Sequence, residues 1–368
     1  MVYFDYMTAS GGSNKKIIED LLLLAYQQGA SDLHLAAGSH PMLRVNGQLV
    51  DQAQYPILSP DNTREMILSM LSEPEQQEFL ADRELDTSYT LSNGVRFRVN
   101  IHWEKGHAGL VARVVSDQVP TMDGLYFPEI VYKMLDKRQG LILVTGPTGC
   151  GKSTSLAAMV DHINSLRTDH IVTLEDPIEY IFTPKQSLIR QRQLHTDFLS
   201  FPEALKHVVR QDPNIIMLGE MRDLDTVAAA LTVAETGHLV LATLHTLNAA
   251  QTVDRIVDIF PPHQQEQIRL QLSMNLIGVI SQQLLPRVNG GRVAAREILV
   301  NSHAVANLIR ENKIAQIKSV IQTSASDGMQ TLDQDIKRLL EAGEITEETA
   351  TSYALYPESF IDENGHRR

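Results

Sequence analysis

Residues Leu141 to Met159 read LILVTGPTGCGKSTSLAAM, which is an apolar run, a glycine-rich turn and the start of a helical pattern. The turn fits G-x-x-x-x-G-K-[ST], the P-loop pattern. Its glycines allow backbone N–H groups to turn toward phosphate oxygens, and the N-terminus of the following helix favours an anion. The sequence therefore predicts a nucleotide site. The residues predicted to contact the nucleotide are Gly146, Pro147, Thr148, Gly149, Cys150, Gly151, Lys152, Ser153 and Thr154.

Two side chains of this pattern have specific expected roles. Lys152 is expected to reach the β- and γ-phosphates, and the hydroxyl of Ser153 is expected to bind Mg²⁺. Cys150 is expected to contribute its backbone, and a redox role for its thiol is the alternative. A glycine-rich turn with a surface lysine is the simpler interpretation, which the strand before it and the helix after it disfavour. We therefore expect ATP and Mg²⁺ as cofactors.

Two further apolar runs end in carboxylates. The run from Asn214 ends in Glu220, which is expected to orient the attacking water as the catalytic base. The run from Ile171 continues into an acidic segment, where three acids within five residues are costly to cluster without a cation nearby. Glu175 and Asp176 are the expected metal ligands, and Glu179 is an expected catalytic residue. Solvated carboxylates at strand ends are the simpler alternative for both runs.

Two histidines bracket another apolar run, Leu239–Ala242. His238 precedes the run and His245 follows it, and both are expected to contact or sense the γ-phosphate. The alternative is that each is a hydrogen-bonded core residue.

The composition limits the classes of function. The chain has 368 residues, enough for two domains, and a net charge of −13. This acidic balance, with only 5% aromatic residues, disfavours a nucleic-acid binder. The single cysteine excludes a disulfide within the chain and a zinc site made of cysteines. Without a secretory pattern near residue 1 or an apolar run of about 18 residues, we expect a cytoplasmic protein without a membrane span.

Hydrophobic patterning predicts an α+β domain followed by an α/β domain. Helical patterns cover Asn14 to Gln28 and roughly Asn62 to Leu80, and the turn Asn46-Gly47 indicates a hairpin. Beyond these, apolar runs without alternation fit buried parallel strands. The predicted parts are a flexible arm 1–13, an α+β domain 14–115, a linker 116–124, an α/β domain 125–313, a helical region 314–360 and a disordered tail 361–368.

Four blocks of this sequence together resemble the PilT-like motors of the secretion ATPase superfamily. The blocks are GPTGCGKST as Walker A, VTLEDPIEY as the Asp box, IIMLGEMRD as Walker B and AETGHLVLATLHT as the His box. SDLHL at 31–35 and RFRVN at 96–100 resemble the N-terminal domain of that family, and GRVAAREIL and GMQTLDQDI resemble its C-terminal region. The resemblance covers about residues 15–360.

The resemblance implies a hexameric ATPase, in which a PAS-like N-terminal domain precedes a RecA-like P-loop ATPase domain and ATP binds between the two. In the family, arginines of the N-terminal domain reach the phosphates, and Arg96, Arg98 and Arg113 match them. Guanidinium groups suit charge that is spread over γ-phosphate oxygens. The alternative for Arg96 and Arg98, two residues apart, is solvated charge on one face of a strand.

Within the superfamily, the resemblance favours the pilus-retraction branch. Extension and type II secretion motors typically have a longer N-terminal region and a four-cysteine zinc insert, which one cysteine cannot form. The resemblance then implies type IV pilus disassembly and twitching motility. Its expected partners are an inner-membrane platform protein, which would hold the motor peripherally at that membrane, and a second retraction ATPase. Residues 304–311 resemble the AIRNLIRE motif of retraction motors, with Ala306 in place of its arginine. A type IV secretion or conjugation ATPase of the same fold is the alternative.

Two other classes are weighed against a motor. A regulatory nucleotide-binding module would need no catalytic carboxylate, so Glu220 disfavours it. A DNA or RNA translocase is disfavoured by the acidic charge and the scarce aromatic residues.

Overall fold

The structure, a computed structural model, describes residues 14–45, 47–115 and 118–360. The predicted arm 1–13 and tail 361–368 lie outside the described residues, as do the first two residues of the predicted linker. The chain divides into two compact units. The first contains the described residues up to 115 and the short segment Glu179–Ile181, and the second contains the rest, from Gln118 onward.

The first unit is built on an antiparallel sheet. Its elements are α1 (Asn14–Gln27), β1 (Asp32–Leu35), β2 (Met42–Val45), β3 (Gln48–Asp51), α2 (Pro60–Met70), α3 (Glu73–Asp82), β4 (Glu84–Thr90), β5 (Arg96–Glu104) and β6 (His107–Val114). The six strands lie in the order β3-β2-β1-β6-β5-β4, and all neighbours are antiparallel. The core joins apolar residues of the three helices to those of the strands, including Ile18, Phe79 and Phe97.

The single helix predicted over Asn62–Leu80 is wrong, because the chain forms α2 and α3 instead. Ser72 is extended, with ψ of 160°, and Pro74 follows in the first turn of α3. Proline has no N–H to donate to the carbonyl four residues earlier, so the first helix cannot continue through it. Glu75 then accepts hydrogen bonds from the backbone N–H of Ser72 at 2.8 Å and from its hydroxyl at 2.6 Å. This local pairing starts the second helix.

The second unit is an α/β sandwich with a helical C-terminal region. Its elements are α4 (Glu129–Leu135), β7 (Gly140–Thr145), α5 (Lys152–Leu166), β8 (His170–Glu175), β9 (Leu188–Gln193), α6 (Phe201–Val208), β10 (Ile215–Leu218), α7 (Leu224–Glu235), β11 (Leu239–Leu244), α8 (Ala249–Asp258), α9 (Pro262–Asn275), β12 (Leu276–Pro286), β13 (Arg292–Val300), α10 (His303–Arg310), α11 (Ile317–Thr323), α12 (Leu332–Glu341) and α13 (Glu347–Tyr353). Short 3-10 turns cover Val209–Gln211, Ile314–Gln316, Ala325–Asp327 and Pro357–Phe360.

The seven-stranded sheet of this unit brings four segments that contain predicted site residues to one edge. The strand order is β13-β12-β7-β11-β10-β8-β9. All neighbours are parallel except the β12–β13 pair. Strands β7, β10 and β11 are buried along their whole length, as their continuous apolar runs predict. Because these strands are parallel, the segments that follow β7, β8, β10 and β11 leave from the same edge, where ligands bind in α/β folds.

Three strands of this sheet were not predicted. The sequence of β9, LIRQRQ, is polar and half exposed, and this strand lies at the edge of the sheet. Strands β12 and β13 are largely buried but lie on the other side of β7, where they form an antiparallel hairpin. The helical region after residue 314 packs on this hairpin, through a cluster that includes Leu285, Leu332 and Ile336.

Helix α10 contains most of the segment that resembles the AIRNLIRE motif. Ile309 is fully buried, and Ala306 is 8% exposed. Leu308 is partly buried against the same core. Ala306, Leu308 and Ile309 therefore pack inward, while Arg310 and Glu311 are exposed. Among the described residues, no helix is both long and apolar enough to cross a membrane.

Candidate active site

The glycine-rich turn after β7 has a backbone that only glycine fits at its first position. Gly146 has φ of +143°, and an added Cβ would lie 2.3 Å from the backbone oxygen of Gln282 and 2.6 Å from Cys150 Sγ. Gly151, with φ of +88°, ends the turn and precedes α5. Helix α5 thus begins directly after a glycine-rich turn, and a helix N-terminus in that position is an arrangement that binds phosphate.

Lys152 lies within this loop rather than on the surface. The residue is 9% exposed, and Nζ donates to the carbonyl oxygens of Gly146 at 2.8 Å and Pro147 at 3.1 Å. A buried ammonium held by loop carbonyls is a preformed positive charge at the position where a triphosphate would bind. The interpretation of Lys152 as a surface lysine is therefore wrong.

His245 links the loop to the predicted catalytic carboxylate. Its Nδ1 lies 3.4 Å from Lys152 Nζ and 3.5 Å from Thr148 Oγ1, and its Nε2 lies 3.1 Å from Glu220 Oε1. An ammonium group only donates, so a hydrogen bond from Lys152 requires Nδ1 as the acceptor. A neutral ring then carries its proton on Nε2, the nitrogen that faces Glu220. The structure thus brings three predicted residues, Lys152, His245 and Glu220, into one cluster.

Glu220 is held at the end of β10 with both carboxylate oxygens engaged. Oε2 lies 2.8 Å from a guanidinium nitrogen of Arg222, and Oε1 faces His245. Burial raises the pKa of Glu220, but the interactions with Arg222 and His245 outweigh it and hold this pKa below the ordinary value of 4.5. Glu220 is therefore ionised at neutral pH, as a base must be.

The backbone that presents Glu220 is tied to both neighbouring strands. Thr243 of β11 donates its hydroxyl to Gly219 O at 2.5 Å, and Gly219 N–H donates to Leu174 O of β8 at 2.8 Å. The segment after β10 is therefore fixed from both sides.

The acidic segment divides between buried and exposed side chains. Glu175 is 6% exposed and accepts hydrogen bonds from Thr173 Oγ1 at 2.6 Å and Gln191 Nε2 at 3.2 Å. Asp176 and Glu179 are exposed, and Glu179 belongs to the segment that groups with the first unit. In the described part of the chain, no three His, Cys, Asp or Glu side chains come together to hold a metal. The metal roles of Glu175 and Asp176 and the catalytic role of Glu179 stay predictions.

The structure does not bring His238 to this cluster. Since β11 runs parallel to β7, His238 lies before the strand at the edge opposite the glycine-rich turn, whereas His245 lies after it. His238 Nδ1 lies 3.1 Å from Val233 O of the preceding helix. Within one chain, His238 is therefore placed to hydrogen bond the helix before it, in line with the alternative interpretation. Its predicted catalytic role stays a prediction.

The three predicted arginines share one face of the sheet of the first unit. Arg98 lies directly opposite Arg113 across β5 and β6, and Arg96 is two residues from Arg98. Arg113 Nε donates to Asp32 Oδ1 at 2.8 Å, and Asp32 is 3% exposed. Arg96 donates to Ser88 Oγ at 3.1 Å. The face thus presents a group of guanidinium side chains, one of which is held by a buried acid.

Cys150 is buried, with 3% exposure, and burial raises the pKa of its thiol. Both properties oppose formation of the reactive thiolate. The expected backbone role of Cys150 is therefore favoured over the redox alternative.

Two residues that contact the site were not predicted. Gln282 of β12 is 2% exposed and donates to Cys150 O at 2.7 Å. Arg222 forms an ion pair with Glu220. The hydrogen bond to Glu220 and the negative charges of Glu220 and Asp176 raise the pKa of Arg222. The signal in the sequence for Gln282 was a pair of glutamines inside the apolar run IGVISQQLLP. For Arg222, it was the cation two residues after a predicted catalytic carboxylate.

A parallel sheet with a P-loop, a buried lysine and an ionised carboxylate at the same edge defines a P-loop ATPase. The loop fits a triphosphate because three of its residues are glycines without side chains and the buried ammonium of Lys152 supplies a positive charge. Ser153, in the first turn of α5 and partly exposed, has the hydroxyl that such sites use for Mg²⁺.

Comparison with known proteins places the chain within this class. Residues 8–352 match the family model described as type II/IV secretion system protein, and the chain belongs to that family. It is 47% identical to the type IV pilus retraction ATPase PilT of Pseudomonas aeruginosa over 343 residues, which cover 93% of this chain and 99% of the relative. It is also 47% identical to a twitching motility protein of Neisseria gonorrhoeae over 320 residues, 87% of this chain and 85% of the relative.

A solved structure matches at the level of the fold and the ligand. The crystal structure of the pilus retraction motor PilT with bound ADP is 42% identical, with a TM-score of 0.86, and the match covers 93% of this chain and 98% of that one. The predicted architecture is confirmed: a RecA-like ATPase domain preceded by a smaller PAS-like α+β domain. The chain is an ATPase of the secretion ATPase superfamily.

Proposed function

We propose that this chain is the ATP-hydrolysing motor that retracts a type IV pilus. The observation that carries the proposal is the match to PilT, which spans 99% of the relative at 47% identity. The motor would convert hydrolysis into pilus disassembly and so drive twitching motility.

In this proposal, the cluster described above performs hydrolysis. The backbone of the loop and Lys152 bind the β- and γ-phosphates, and Ser153 holds Mg²⁺, with Glu175 and Asp176 near the metal. Bound Mg²⁺ would neutralise charge on the phosphate oxygens. Glu220, ionised and oriented by His245, accepts the proton of the attacking water at a carboxylate oxygen. Glu179 and His238 are further proposed catalytic residues.

The proposal extends to the arginines of the first unit. Arg96, Arg98 and Arg113 would stabilise charge on the γ-phosphate, because guanidinium groups match its oxygens in geometry and charge. Loss of phosphate would then release these contacts, which links hydrolysis to movement. A homohexamer would sum such movements and turn an inner-membrane platform protein, to which the motor would be peripherally attached from the cytoplasm. A second retraction ATPase is a proposed further partner, and nucleic acid is not.

A purified-protein experiment tests the enzymatic half of the proposal. We expect steady phosphate release from ATP and Mg²⁺, and Lys152→Ala should reduce turnover by at least about 100-fold, since one preorganised charge at a phosphoryl site is worth that much. Single-stranded DNA should leave the rate unchanged. Stimulation by DNA would contradict the motor assignment and favour a translocase.

A cell experiment separates retraction from the secretion alternative. Deletion of the gene in the source organism should leave surface pili that extend and do not shorten, with loss of twitching. Normal pilus dynamics together with loss of a secreted substrate would instead indicate a type IV secretion ATPase. The Lys152→Ala gene, restored at the same locus, should behave like the deletion.

A further inference from the structure

Gln282 is a buried polar residue at the base of the P-loop. It follows Ser281 on β12, and Ser281 pairs with Thr145, the last residue of β7. The two hydroxyls of that pair lie 2.8 Å apart. Gln282 therefore lies at the point where β12 passes the edge of the sheet from which the phosphate loop departs.

The side-chain amide of Gln282 bonds to both sides of the loop's final turn. Its Nε2 donates to Cys150 O at 2.7 Å, and its Oε1 accepts from Ser155 Oγ at 2.8 Å. The segment between these partners, residues 151–154, contains Lys152 and Ser153. One side chain thus joins the end of the loop to the first turn of α5, across the residues that would bind phosphate and Mg²⁺.

The backbone of Gln282 also defines the start of the loop. Its carbonyl oxygen would lie 2.3 Å from a Cβ at Gly146, so the two backbones are in close contact. Both ends of the glycine-rich turn are therefore in contact with this one residue.

Packing alone does not explain an amide at this position. A Cβ added at Gly151 would lie 3.6 Å from the side chain of Leu284, so an apolar residue of the same strand also lies beside this turn. A buried amide is unfavourable unless its groups are hydrogen bonded, and here the donor and the acceptor each have a partner on the loop or on the helix that follows it.

We propose that Gln282 is a positioning residue for the nucleotide: it holds the P-loop in the conformation that binds the β- and γ-phosphates, through simultaneous bonds to Cys150 and Ser155. The inference rests on the proposed role of the P-loop. It adds a residue from the β12–β13 hairpin, outside the four sequence blocks, to the machinery of nucleotide binding.

The test compares Gln282→Met with Gln283→Met. Methionine has nearly the same length and no amide, and Gln283 is the adjacent residue, partly exposed and with no side-chain hydrogen bond among the described residues. The measurements are the Kd of a fluorescent ADP analogue, the KM and kcat for ATP, and the thermal unfolding midpoint without nucleotide. Gln282→Met should raise Kd and KM by about tenfold, the worth of one or two hydrogen bonds, and Gln283→Met should change them less than about twofold.

A second variant isolates one of the two bonds. Ser155→Ala removes the hydroxyl that donates to Gln282 and leaves the bond to Cys150 in place. It should raise KM in the wild-type background and have no further effect in Gln282→Met, because the partner is already absent. Gln282→Glu keeps the acceptor for Ser155 but places a negative charge beside the phosphates, so it should bind nucleotide more weakly than Gln282→Met.

Three results would overturn the inference. A lower unfolding midpoint with unchanged Kd and KM in Gln282→Met would show a merely structural role and overturn the inference. If that variant does not fold, Ser155→Ala decides, and wild-type nucleotide affinity in it would overturn the inference. Absence of nucleotide binding by the unaltered chain would instead refute the proposed function of the P-loop, and the inference with it.

Discussion

At the scale of single residues, Glu220 is the proposed catalytic base. Glu220→Gln keeps the shape and the acceptor oxygen but cannot accept a proton. We expect turnover to fall by about 100- to 10,000-fold, the usual contribution of a positioned base, while nucleotide affinity changes little because Lys152 and the loop are intact. Phosphate release and binding of a fluorescent ADP analogue give the two values. Glu266→Gln, an exposed glutamate on α9, is the matched control. Wild-type turnover in Glu220→Gln would exclude Glu220 as the base.

A second residue-scale prediction concerns Glu297, a buried carboxylate on β13. It is 5% exposed and accepts the N–H of Ala249 at 2.8 Å, at the start of the helix that follows the His245 segment. Burial raises its pKa above the ordinary value of 4.5, and the Ala249 hydrogen bond and the charge of Lys318 only partly offset this effect. The folded state therefore retains the proton to a higher pH than the unfolded state.

The sign of the pH effect follows from that difference. As pH rises from 4.5 through the raised pKa of Glu297, the unfolded state loses its proton first, so the free energy of unfolding falls by about 1.4 kcal/mol for each pH unit between the two pKa values. Glu297→Gln keeps the acceptor and cannot ionise. We expect its thermal midpoint to exceed that of the wild type by a few degrees at about pH 8 and to equal it at about pH 4. A lower midpoint for the variant at both values would contradict this account, and Glu266→Gln again serves as control.

At the scale of elements, the P-loop depends on its contact with β12. We expect Gly146→Ala to lower the unfolding midpoint without nucleotide more than Gly149→Ala does. A Cβ at position 146 meets backbone and sulfur atoms at 2.3 and 2.6 Å, whereas at position 149 nothing lies within 4 Å and only the left-handed φ is costly. That strain is about 1–2 kcal/mol. Equal losses of stability would show that the contact with β12 does not constrain the loop.

Much of the structure at the scale of elements was predictable because the local sequence patterns agreed with the tertiary packing. Continuous apolar runs identified β7, β8, β10 and β11, and the glycine pattern located the P-loop. The position of Glu220 and His245 at the same edge follows once these strands are parallel. The helix break at Ser72 also had a local signal, Pro74, which the helical pattern on either side obscured.

Other elements depended on contacts that no local pattern encodes. Strand β9 has a polar sequence and pairs with β8 at the edge of the sheet. The hairpin of β12 and β13 reaches the P-loop from more than 100 residues along the chain, through Gln282. In the sequence, His238 and His245 lie at the two ends of one apolar run and received the same predicted role. In the structure, they lie at opposite edges of the sheet, because one precedes the strand and the other follows it.

At the scale of the whole molecule, the proposed motor requires several copies to act together. We expect the purified chain to form a hexamer, with a light-scattering mass about six times the 41.1 kDa of one chain. Glu220→Gln should have the same mass, because that side chain lies beside the P-loop and its replacement by an amide conserves volume. Full turnover by a monodisperse monomer would contradict the proposed coupling between subunits.

The central claim is that hydrolysis at the cluster of Lys152, His245 and Glu220 retracts the pilus. The most direct measurement places the Glu220→Gln gene at its own locus and follows fluorescently labelled pili by time-lapse microscopy. We expect pili that extend at the wild-type rate and retract rarely or not at all, with the variant protein present at wild-type abundance. Retraction at the wild-type speed by a variant whose ATP turnover is lost would contradict the claim.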